Sequence, residues 1–234
     1  MALTDEEIAA FTAQYPLRDD ISPIFLVGPS GIGKDWVVQQ LGELCQLIVS
    51  TTSRAIRDGE IPGQAYNFVD ERVFEELLRN GDMATGFHSE KLGGYYGYRG
   101  EDFDAVIKAG RIPIANVYYT ALPALLKVFP NARIIVMMPS EVRNEIGELQ
   151  TIEALNLIQR RLEHRGDDPT TFENRLADLQ VQMLETYLYG GVIKAYIDSG
   201  ARLCIIDNDD DGGELVAQIS AEISAEINAE IDIQ

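Results

Sequence analysis

The sequence predicts an α/β fold in which a parallel β-sheet is covered by helices on both faces. Apolar, strand-like runs alternate with helix-like segments along the chain, which is the pattern of parallel sheets. A glycine-rich segment joins the first of these strands to a helix. With 234 residues and 46% hydrophobic side chains, the chain is long and apolar enough for one compact domain, so global disorder is excluded.

Local signals predict the N-terminal elements. Residues 4–7 read Thr-Asp-Glu-Glu, a capping box that opens a short helix ending near Gln14, so residues 1–20 form an N-terminal helix and linker. The apolar run at 23–27 predicts a buried strand. Residues 35–44 predict a helix, because apolar side chains recur there at helical spacing. Those side chains are Trp36, Val37, Leu41 and Leu44.

The rest of the chain continues the alternation, with two exceptions. Residues 50–100 are rich in Gly, Tyr and charge and are predicted to be irregular apart from one helix. Residues 211–234 carry an isoleucine every four residues, which predicts a C-terminal helix packed on its own domain or paired with another chain. The oligomeric state therefore stays open. The further predicted strands are Cys45–Val49, Ile112–Val117, Arg133–Met138 and Ala201–Ile206, and the helices are Glu71–Arg79, Phe103–Ala109, Ala121–Val128, Val142–Arg165, Phe172–Tyr189 and Val192–Ser199.

Composition excludes several classes of partner. A formal net charge of −19 makes duplex nucleic acid a poor partner for the whole protein. No apolar run is long enough to cross a bilayer, and the acidic start of the sequence does not resemble a signal peptide. Cys45 and Cys204 lie in apolar contexts, as expected for buried thiols in a reducing compartment. These features predict a cytoplasmic protein without a membrane or nucleic-acid partner.

The glycine-rich segment has the spacing G-x-x-x-x-G-K between the strand and the helix. The glycines let the backbone curl so that successive N–H groups point inward, and the helix N-terminus adds its positive dipole end. The lysine then reaches the outer phosphates of a nucleotide. This motif predicts a P-loop NTPase fold, a three-layer sandwich that binds ATP. The predicted ATP-binding residues are Gly28, Pro29, Ser30, Gly31, Ile32, Gly33, Lys34 and Asp35.

Asp35 stands where this motif normally carries a Ser or Thr hydroxyl on Mg²⁺. Its carboxylate can hold a metal-bound water, or it can cap the helix, and capping is slightly favoured. We therefore expect Mg²⁺ to arrive with ATP, held mainly by phosphates and water. Asp35 or Asn116 would contact that water shell.

A second phosphate-binding pattern follows within residues 51–68. Arg54 and Arg57 lie three residues apart, ahead of a Gly-Glu turn and Tyr66. Guanidinium groups grip phosphate oxygens with two hydrogen bonds, and a tyrosine hydroxyl adds an uncharged donor. Further tyrosines, including Tyr96, follow in a glycine-rich stretch. The pattern predicts a clamp for the phosphate of a small-molecule acceptor.

Together these motifs resemble the guanylate kinase family. The family's GPSGxGK loop is met by residues 28–34, and its T-x-R-x-x-R-x-G-E-x-x-G-x-x-Y-x-F segment by residues 52–68. Tyr96-Gly97 matches its Y-G pair, and the motifs occur in family order over about residues 22–210. The resemblance implies a domain at 21–210 that contains an acceptor-binding subdomain at 51–100 and a lid at 160–175.

The family resemblance implies ATP-dependent phosphoryl transfer to a nucleoside monophosphate, with GMP converted to GDP. By position, the resemblance also assigns the binding groups. Arg54, Arg57, Tyr66 and Tyr96 would hold the acceptor phosphate, Lys34 and the loop would hold ATP, Asn208 would lie near the adenine, and Arg161, Arg165 and Arg175 would close over the transferring group.

The sequence departs from the family where guanine is read. The guanine-reading glutamate is replaced by Thr85 or Phe87, the residue after Tyr-Gly is Tyr98, and an acidic segment is replaced around Asn116. Base recognition is therefore expected to be altered. Two alternatives stay open, namely a sugar-phosphate kinase like the ribose 1,5-bisphosphate phosphokinases and a non-catalytic nucleotide-binding or scaffold module. The first is favoured by Asp35, Tyr95-Tyr96-Gly97 and Asn116, whereas Gly59-Glu60, Gly63 and Tyr66-x-Phe68 favour guanylate kinase.

Overall fold

The structure is a computed structural model that describes residues 3–28, 31–42, 44–90, 92–118, 121–138 and 203–207, with isolated positions at 169–170, 172–173, 177, 217 and 221. Several predicted features fall outside this part of the chain. They are Pro29, Ser30, the lid residues Arg161, Arg165 and Arg175, Asn208, the helices predicted after residue 139 and the C-terminal helix. The division of the chain into 1–20, 21–210 and 211–234 stays a prediction.

The described elements alternate as the sequence predicts. The helices are α1 (Asp5–Thr12), α2 (Lys34–Gln40), α3 (Glu71–Arg79), α4 (Gly100–Lys108) and α5 (Leu122–Val128). The strands are β1 (Ile24–Val27), β2 (Cys45–Leu47), β3 (Thr51–Thr52), β4 (Asn67–Phe68), β5 (Met83–Ser89), β6 (Gly94–Arg99), β7 (Ile112–Asn116), β8 (Arg133–Met138) and β9 (Leu203–Asp207).

The chain divides into two compact units, and strand β1 contributes to both. The first unit comprises residues 1–25 and 45–133, and the second comprises residues 26–44 and 134–234. Core strands follow the order β2-β7-β1 in the first unit and β1-β8-β9 in the second. Strand β2 is parallel to β7, and β8 is parallel to β9. The predicted α/β fold with a parallel core sheet is confirmed.

A second, four-stranded sheet in the first unit has the order β4-β3-β6-β5. It is mixed, because β3 is parallel to β4 but antiparallel to β6. The prediction that residues 50–100 are irregular apart from one helix was therefore wrong, although the helix at 71–79 is confirmed. Local sequence patterns do not predict these strands, because they are stabilised by pairing between segments that are distant in the chain. Thr51, for example, lies opposite Gly97.

Helix α1 begins at the predicted capping box. The Glu7 amide donates to the Thr4 hydroxyl over 3.2 Å, and the Glu7 carboxylate accepts from the Thr4 amide over 2.8 Å. The buried face of α1 presents Ile8 to a cluster formed with α3 and β5, which includes Phe74 and Met83. The helix is thereby attached to the second sheet.

The linker after α1 is fixed by hydrogen bonds and ion pairs. Arg18 pairs with Asp20 at 2.8 Å and with Asp104 of α4 at 2.6 Å. Its amide donates to the carbonyl oxygen of Val128 over 2.7 Å. Residues 15–20 therefore lie against helices α4 and α5 of the same unit.

Helix α2 is shorter than predicted and ends at Gln40, two residues before Gly42. Val37 and Leu41 are buried as expected, but Trp36 is 37% exposed and does not belong to the apolar face. Cys45 is buried, and desolvation raises the pKa of its thiol to about 11, with a small opposing effect of Arg133. Within the described ranges, no helix is both long and apolar enough to span a membrane.

Candidate functional site

The glycine loop, residues 28–34, lies in the second unit between β1 and α2. Gly31 and Gly33 have φ angles of 84° and 104°, which side-chain-bearing residues rarely adopt. At Gly28 an added Cβ would lie 2.7 Å from the carbonyl oxygen of Met137. The loop conformation therefore depends on glycine at all three positions.

Lys34 is the first residue of helix α2, directly after the loop. Its ammonium group donates a hydrogen bond to the Gly28 carbonyl oxygen over 2.6 Å. The cation is thus folded back onto the start of its own loop, at the positive end of the helix dipole. A phosphate there would meet both the lysine and the amides of the loop.

Asp35 is not the N-cap residue of helix α2, although a capping role is slightly favoured by the sequence. The N-cap is Gly33, which has no side chain to donate or accept, and the helix begins at Lys34. Asp35 is the second helical residue, and it is exposed. Its carboxylate lies in the first turn, where a negative charge interacts favourably with the positive end of the helix dipole. In this position it can also face a hydrated cation.

Arg54 is the centre of the second candidate site, in the first unit. Its side chain is only 7% exposed. Its two terminal nitrogens bind both carboxylate oxygens of Glu60 at 2.9 and 2.8 Å, and Nε donates to the Tyr96 hydroxyl over 3.1 Å. This geometry is a bidentate ion pair, which fixes the plane of the guanidinium group.

Glu60 also organises the loop that carries Arg57. One carboxylate oxygen accepts the Arg57 amide over 2.8 Å, and Gly59, with φ of 83°, supplies the turn between them. Burial raises the pKa of Glu60, but the hydrogen bonds from Arg54 and Arg57 outweigh it, so the pKa lies below its usual range.

The importance of Glu60 was not predicted. An available signal was the Gly59-Glu60 pair, which belongs to the same motif as Arg54. Burial lowers the pKa of Arg54, and the bonds to Glu60 and Tyr96 outweigh that effect and raise it. Arg54 therefore stays charged.

Aromatic rings enclose the Arg54 guanidinium. Its central carbon lies 5.1 Å from the ring centre of Tyr66 and 5.5 Å from that of Phe68. The Tyr66 ring meets Tyr96 edge to face at 5.9 Å, and desolvation raises the pKa of the Tyr66 hydroxyl. The Tyr96 hydroxyl, which accepts from Arg54, donates to the Leu92 carbonyl oxygen over 2.9 Å.

We call Arg54, Arg57, Tyr66 and Tyr96 the arginine clamp. The structure brings Arg54, Tyr66 and Tyr96 into direct contact, as the sequence predicts for a shared site. The side chain of Arg57 is exposed beside them, on the loop that Glu60 holds. The clamp therefore combines a fixed cation, an exposed cation and phenol groups, which suits a phosphate dianion.

Strand β5 distinguishes the two candidate positions for base recognition. Thr85 lies opposite Tyr98, whereas Phe87 lies opposite Tyr96 of the clamp. Thr85 is 1% exposed. The Phe87 ring stacks on Tyr96 at 5.6 Å and on Tyr118 at 6.2 Å. Phe87 is therefore the one of the two that contacts the clamp.

Asn116 ends strand β7, and its backbone carbonyl oxygen accepts the Tyr98 hydroxyl over 2.7 Å. Tyr98 is buried, and desolvation raises the pKa of its hydroxyl. The roles predicted for Thr85 and Asn116 in acceptor binding stay predictions. In the part of the chain that the structure describes, no three His, Cys, Asp or Glu side chains are grouped to hold a metal ion.

Comparison with known proteins places this geometry in context. The sequence model of the guanylate kinase family matches residues 20–168, which is more than half of the chain. A guanylate kinase of a Synechocystis strain is 30% identical over 164 residues, which cover 68% of this chain and 78% of that protein. A guanylate kinase of a Nostoc strain is 31% identical over 166 residues, covering 68% of this chain and 80% of that protein.

A solved structure agrees with the observed architecture. The crystal structure of guanylate kinase from Anaplasma phagocytophilum superposes with a TM-score of 0.55 and 18% identity, covering 88% of this chain and 86% of that chain. This likeness supports the fold, with its parallel core sheet and second mixed sheet.

Proposed function

Because the chain belongs to the guanylate kinase family, we propose that it transfers a phosphoryl group from ATP to a phosphomonoester acceptor. A nucleoside monophosphate is the proposed acceptor class, and GMP is the first candidate within it. The observation that carries the proposal is the arginine clamp, in which a buried, charged Arg54 is fixed beside the exposed Arg57. Phosphoryl transfer depends mainly on such positioning and charge neutralisation.

The glycine loop fits the nucleoside triphosphate. Gly31 and Gly33 adopt the conformations that let loop amides face a phosphate, and the Lys34 ammonium supplies the positive charge. Mg²⁺, where the nucleotide carries it, would be held mainly by phosphates and water, with Asp35 contacting that water. When bound, the ion neutralises charge on the phosphates. The resemblance proposes Arg161, Arg165 and Arg175 for the lid and Asn208 for the adenine.

The clamp fits the acceptor's phosphate. Arg57 and the Tyr66 hydroxyl would donate to its oxygens, and the Tyr96 hydroxyl would do so by exchanging the Leu92 carbonyl oxygen for a phosphate oxygen. Arg54 would contribute its charge and hold the Tyr96 hydroxyl in place. An anionic ligand gains most from a cation that is already partly desolvated and held in one orientation.

Altered base recognition follows from Phe87. Its ring stacks on Tyr96 of the clamp and on Tyr118, at a position where the family resemblance leads us to expect a carboxylate that accepts hydrogen bonds from guanine. An aromatic surface favours stacking but does not discriminate among the hydrogen-bonding edges of bases. The same observation keeps a second candidate function, phosphorylation of a sugar phosphate such as ribose 1,5-bisphosphate.

The test is a coupled ATP-consumption assay over GMP, AMP, CMP, UMP and ribose 1,5-bisphosphate. We expect turnover of nucleoside monophosphates, with weak preference for GMP over AMP. Phe87→Glu should raise that preference about 100-fold, because a polar partner for the base edge restores discrimination. The control is Ile107→Glu, which adds the same carboxylate at a 39% exposed position of α4.

Three other outcomes of this assay would each change the proposal. Strong GMP selectivity in the parent protein would contradict altered base recognition. Turnover of only the sugar bisphosphate would establish the second candidate. No acceptor, together with tight ATP binding, would favour a non-catalytic nucleotide-binding or scaffold module.

A further inference from the structure

Helix α1 lies before the region that matches the family, yet the residue just ahead of it contacts Tyr95, the neighbour of the clamp residue Tyr96. The family match begins at residue 20, whereas α1 spans Asp5–Thr12. The amide of Leu3, just ahead of the helix, donates to the hydroxyl of Tyr95 over 2.6 Å. The same hydroxyl donates to the Glu75 carboxylate of α3 over 3.3 Å. Tyr95 therefore links the start of α1 to α3.

The Tyr95 ring is held as firmly as its hydroxyl. It is fully buried and stacks on Phe74 at 5.3 Å, with 14° between the ring planes. His88 contacts it edge to face at 4.7 Å. Ile8 of α1 belongs to the same apolar cluster. The packing of α1 therefore restricts where this ring can lie.

The backbone of Tyr95 carries this restriction to the clamp. Its carbonyl oxygen accepts from the Thr52 hydroxyl over 2.8 Å and from the Ser53 amide over 3.1 Å. Its own amide donates to the Ser53 hydroxyl over 2.9 Å. Ser53 immediately precedes Arg54, so Tyr95 fixes the strand end from which the buried arginine projects.

Tyr96, the next residue, points to the other side of the strand. Successive side chains of a strand alternate between its two faces. Tyr95 accordingly packs with α1 and α3, while Tyr96 contacts Arg54 and Phe87. One short segment of β6 thus carries an anchor on one face and a clamp residue on the other.

We propose that Tyr95 is a positioning residue through which docking of helix α1 sets the geometry of the arginine clamp. The proposal rests on the proposed function insofar as the clamp binds the acceptor. It assigns α1 a role in acceptor binding that ATP binding does not share, because the described contacts of α1 lie in the first unit and the glycine loop lies in the second.

The decisive variant is Tyr95→Phe, which removes the hydroxyl and keeps the ring. The variant loses both hydrogen bonds of this hydroxyl, which hold the clamp and do not touch the ligand. With GMP as the probe, we expect a less well positioned clamp to raise the KM for GMP about fivefold, while kcat and the KM for ATP stay unchanged. Ile8→Ala loosens α1 without removing the hydroxyl, and it should likewise raise the KM for GMP while kcat and the KM for ATP stay unchanged.

The matched control is Thr12→Val. It also removes a buried hydroxyl, but this one donates to the Ile8 carbonyl oxygen within α1 over 3.0 Å. Valine keeps the side-chain volume on the buried face of α1, so the helix should stay docked and the KM for GMP should stay unchanged. A purely structural role for Tyr95 would give Tyr95→Phe and Thr12→Val the same kinetic profile, and that result would overturn the proposal.

Amide exchange provides a readout that does not depend on the acceptor. Tyr95→Phe should speed hydrogen exchange at the Ser53 and Arg54 amides, because both belong to the network around the Tyr95 carbonyl. Unchanged exchange there would overturn the proposal. If the parent protein does not turn over GMP, the proposed function loses its first candidate acceptor, and the exchange result alone decides the role of Tyr95.

Discussion

The glycine loop and the arginine clamp each contain a cation that we propose binds a phosphate, but the two cations are held in different ways. Lys34 bonds to the carbonyl oxygen of Gly28, six residues earlier in the same loop. Arg54 is held by a carboxylate, a hydroxyl and two rings, and the hydroxyl belongs to Tyr96, 42 residues away. The loop is therefore a local structure, whereas the clamp is assembled by the tertiary fold.

This difference predicts how each region responds to change. Removing the lysine takes away a charge while the glycine backbone keeps the loop conformation. Removing the arginine leaves a partly buried carboxylate without its counter-ion, so binding and stability fall together. Mutations of the two regions can thus separate catalysis from folding.

Lys34→Ala should have the largest effect. We expect turnover to fall about 1000-fold, because a fixed positive charge at the transferring phosphates is lost. Circular dichroism and the unfolding midpoint should stay close to those of the parent protein. The control is Lys108→Ala, which removes an exposed lysine from the last turn of α4. Turnover of Lys34→Ala at the parental rate would show that the loop is not catalytic.

Arg54→Ala should come next. We expect the KM for the acceptor to rise about 100-fold and the free energy of unfolding to fall by about 2 kcal/mol, since Glu60 loses its charged partner. Arg72→Ala is the control, because Arg72 forms its ion pair with Glu76 while 88% exposed and should contribute little. A loss of affinity without a loss of stability would contradict the tertiary origin of the clamp.

Arg57→Ala tests the exposed half of the clamp. The backbone bond to Glu60 remains in this variant, so the loop keeps its conformation. We expect the KM for the acceptor to rise about tenfold, with unfolding free energy within about 0.5 kcal/mol of the parent value. Equal destabilisation by Arg57→Ala and Arg54→Ala, measured by denaturant titration, would remove the distinction between the two arginines.

The smallest effect concerns pH. Glu60 has a folded pKa below its ordinary value of 4.5, with burial opposing and the bonds from Arg54 and Arg57 prevailing. Its contribution to stability is therefore complete above pH 4.5 and is lost as the pH falls through the folded pKa. Glu60→Gln should weaken the dependence of the free energy of unfolding on pH in this acidic range, measured by denaturant titration at several pH values. An unchanged slope would mean that the ion pair adds nothing to stability.

The sequence predicts the local features of both regions and misses the tertiary ones. The capping box of α1 and the loop before Lys34 each depend on residues that are close together in the sequence, and both are present in the structure. Strand β5 was missed because its residues do not alternate between apolar and polar. Its pairing with β6 brings Phe87 onto Tyr96.

The candidate site shows the same division. The motifs and the family resemblance predict that Arg54, Tyr66 and Tyr96 belong to one site, and the structure brings the three residues together. The bond between Arg54 and Glu60 depends on how the turn at Gly59 folds back, which residue spacing alone does not specify. The sequence does not predict the role of Tyr95, because its contact with Leu3 spans 92 residues.

The chain contains a single tryptophan and ten tyrosines. That tryptophan, Trp36, lies two residues after Lys34 and is 37% exposed, so we expect its fluorescence to change when a ligand binds at the glycine loop. Excitation at wavelengths that only indole absorbs would follow nucleotide binding without any label. Only two of the ten tyrosines, Tyr66 and Tyr96, lie in the clamp, so the tyrosine emission does not single out that region. The protein thus carries, beside the glycine loop, an intrinsic fluorophore that the arginine clamp does not share.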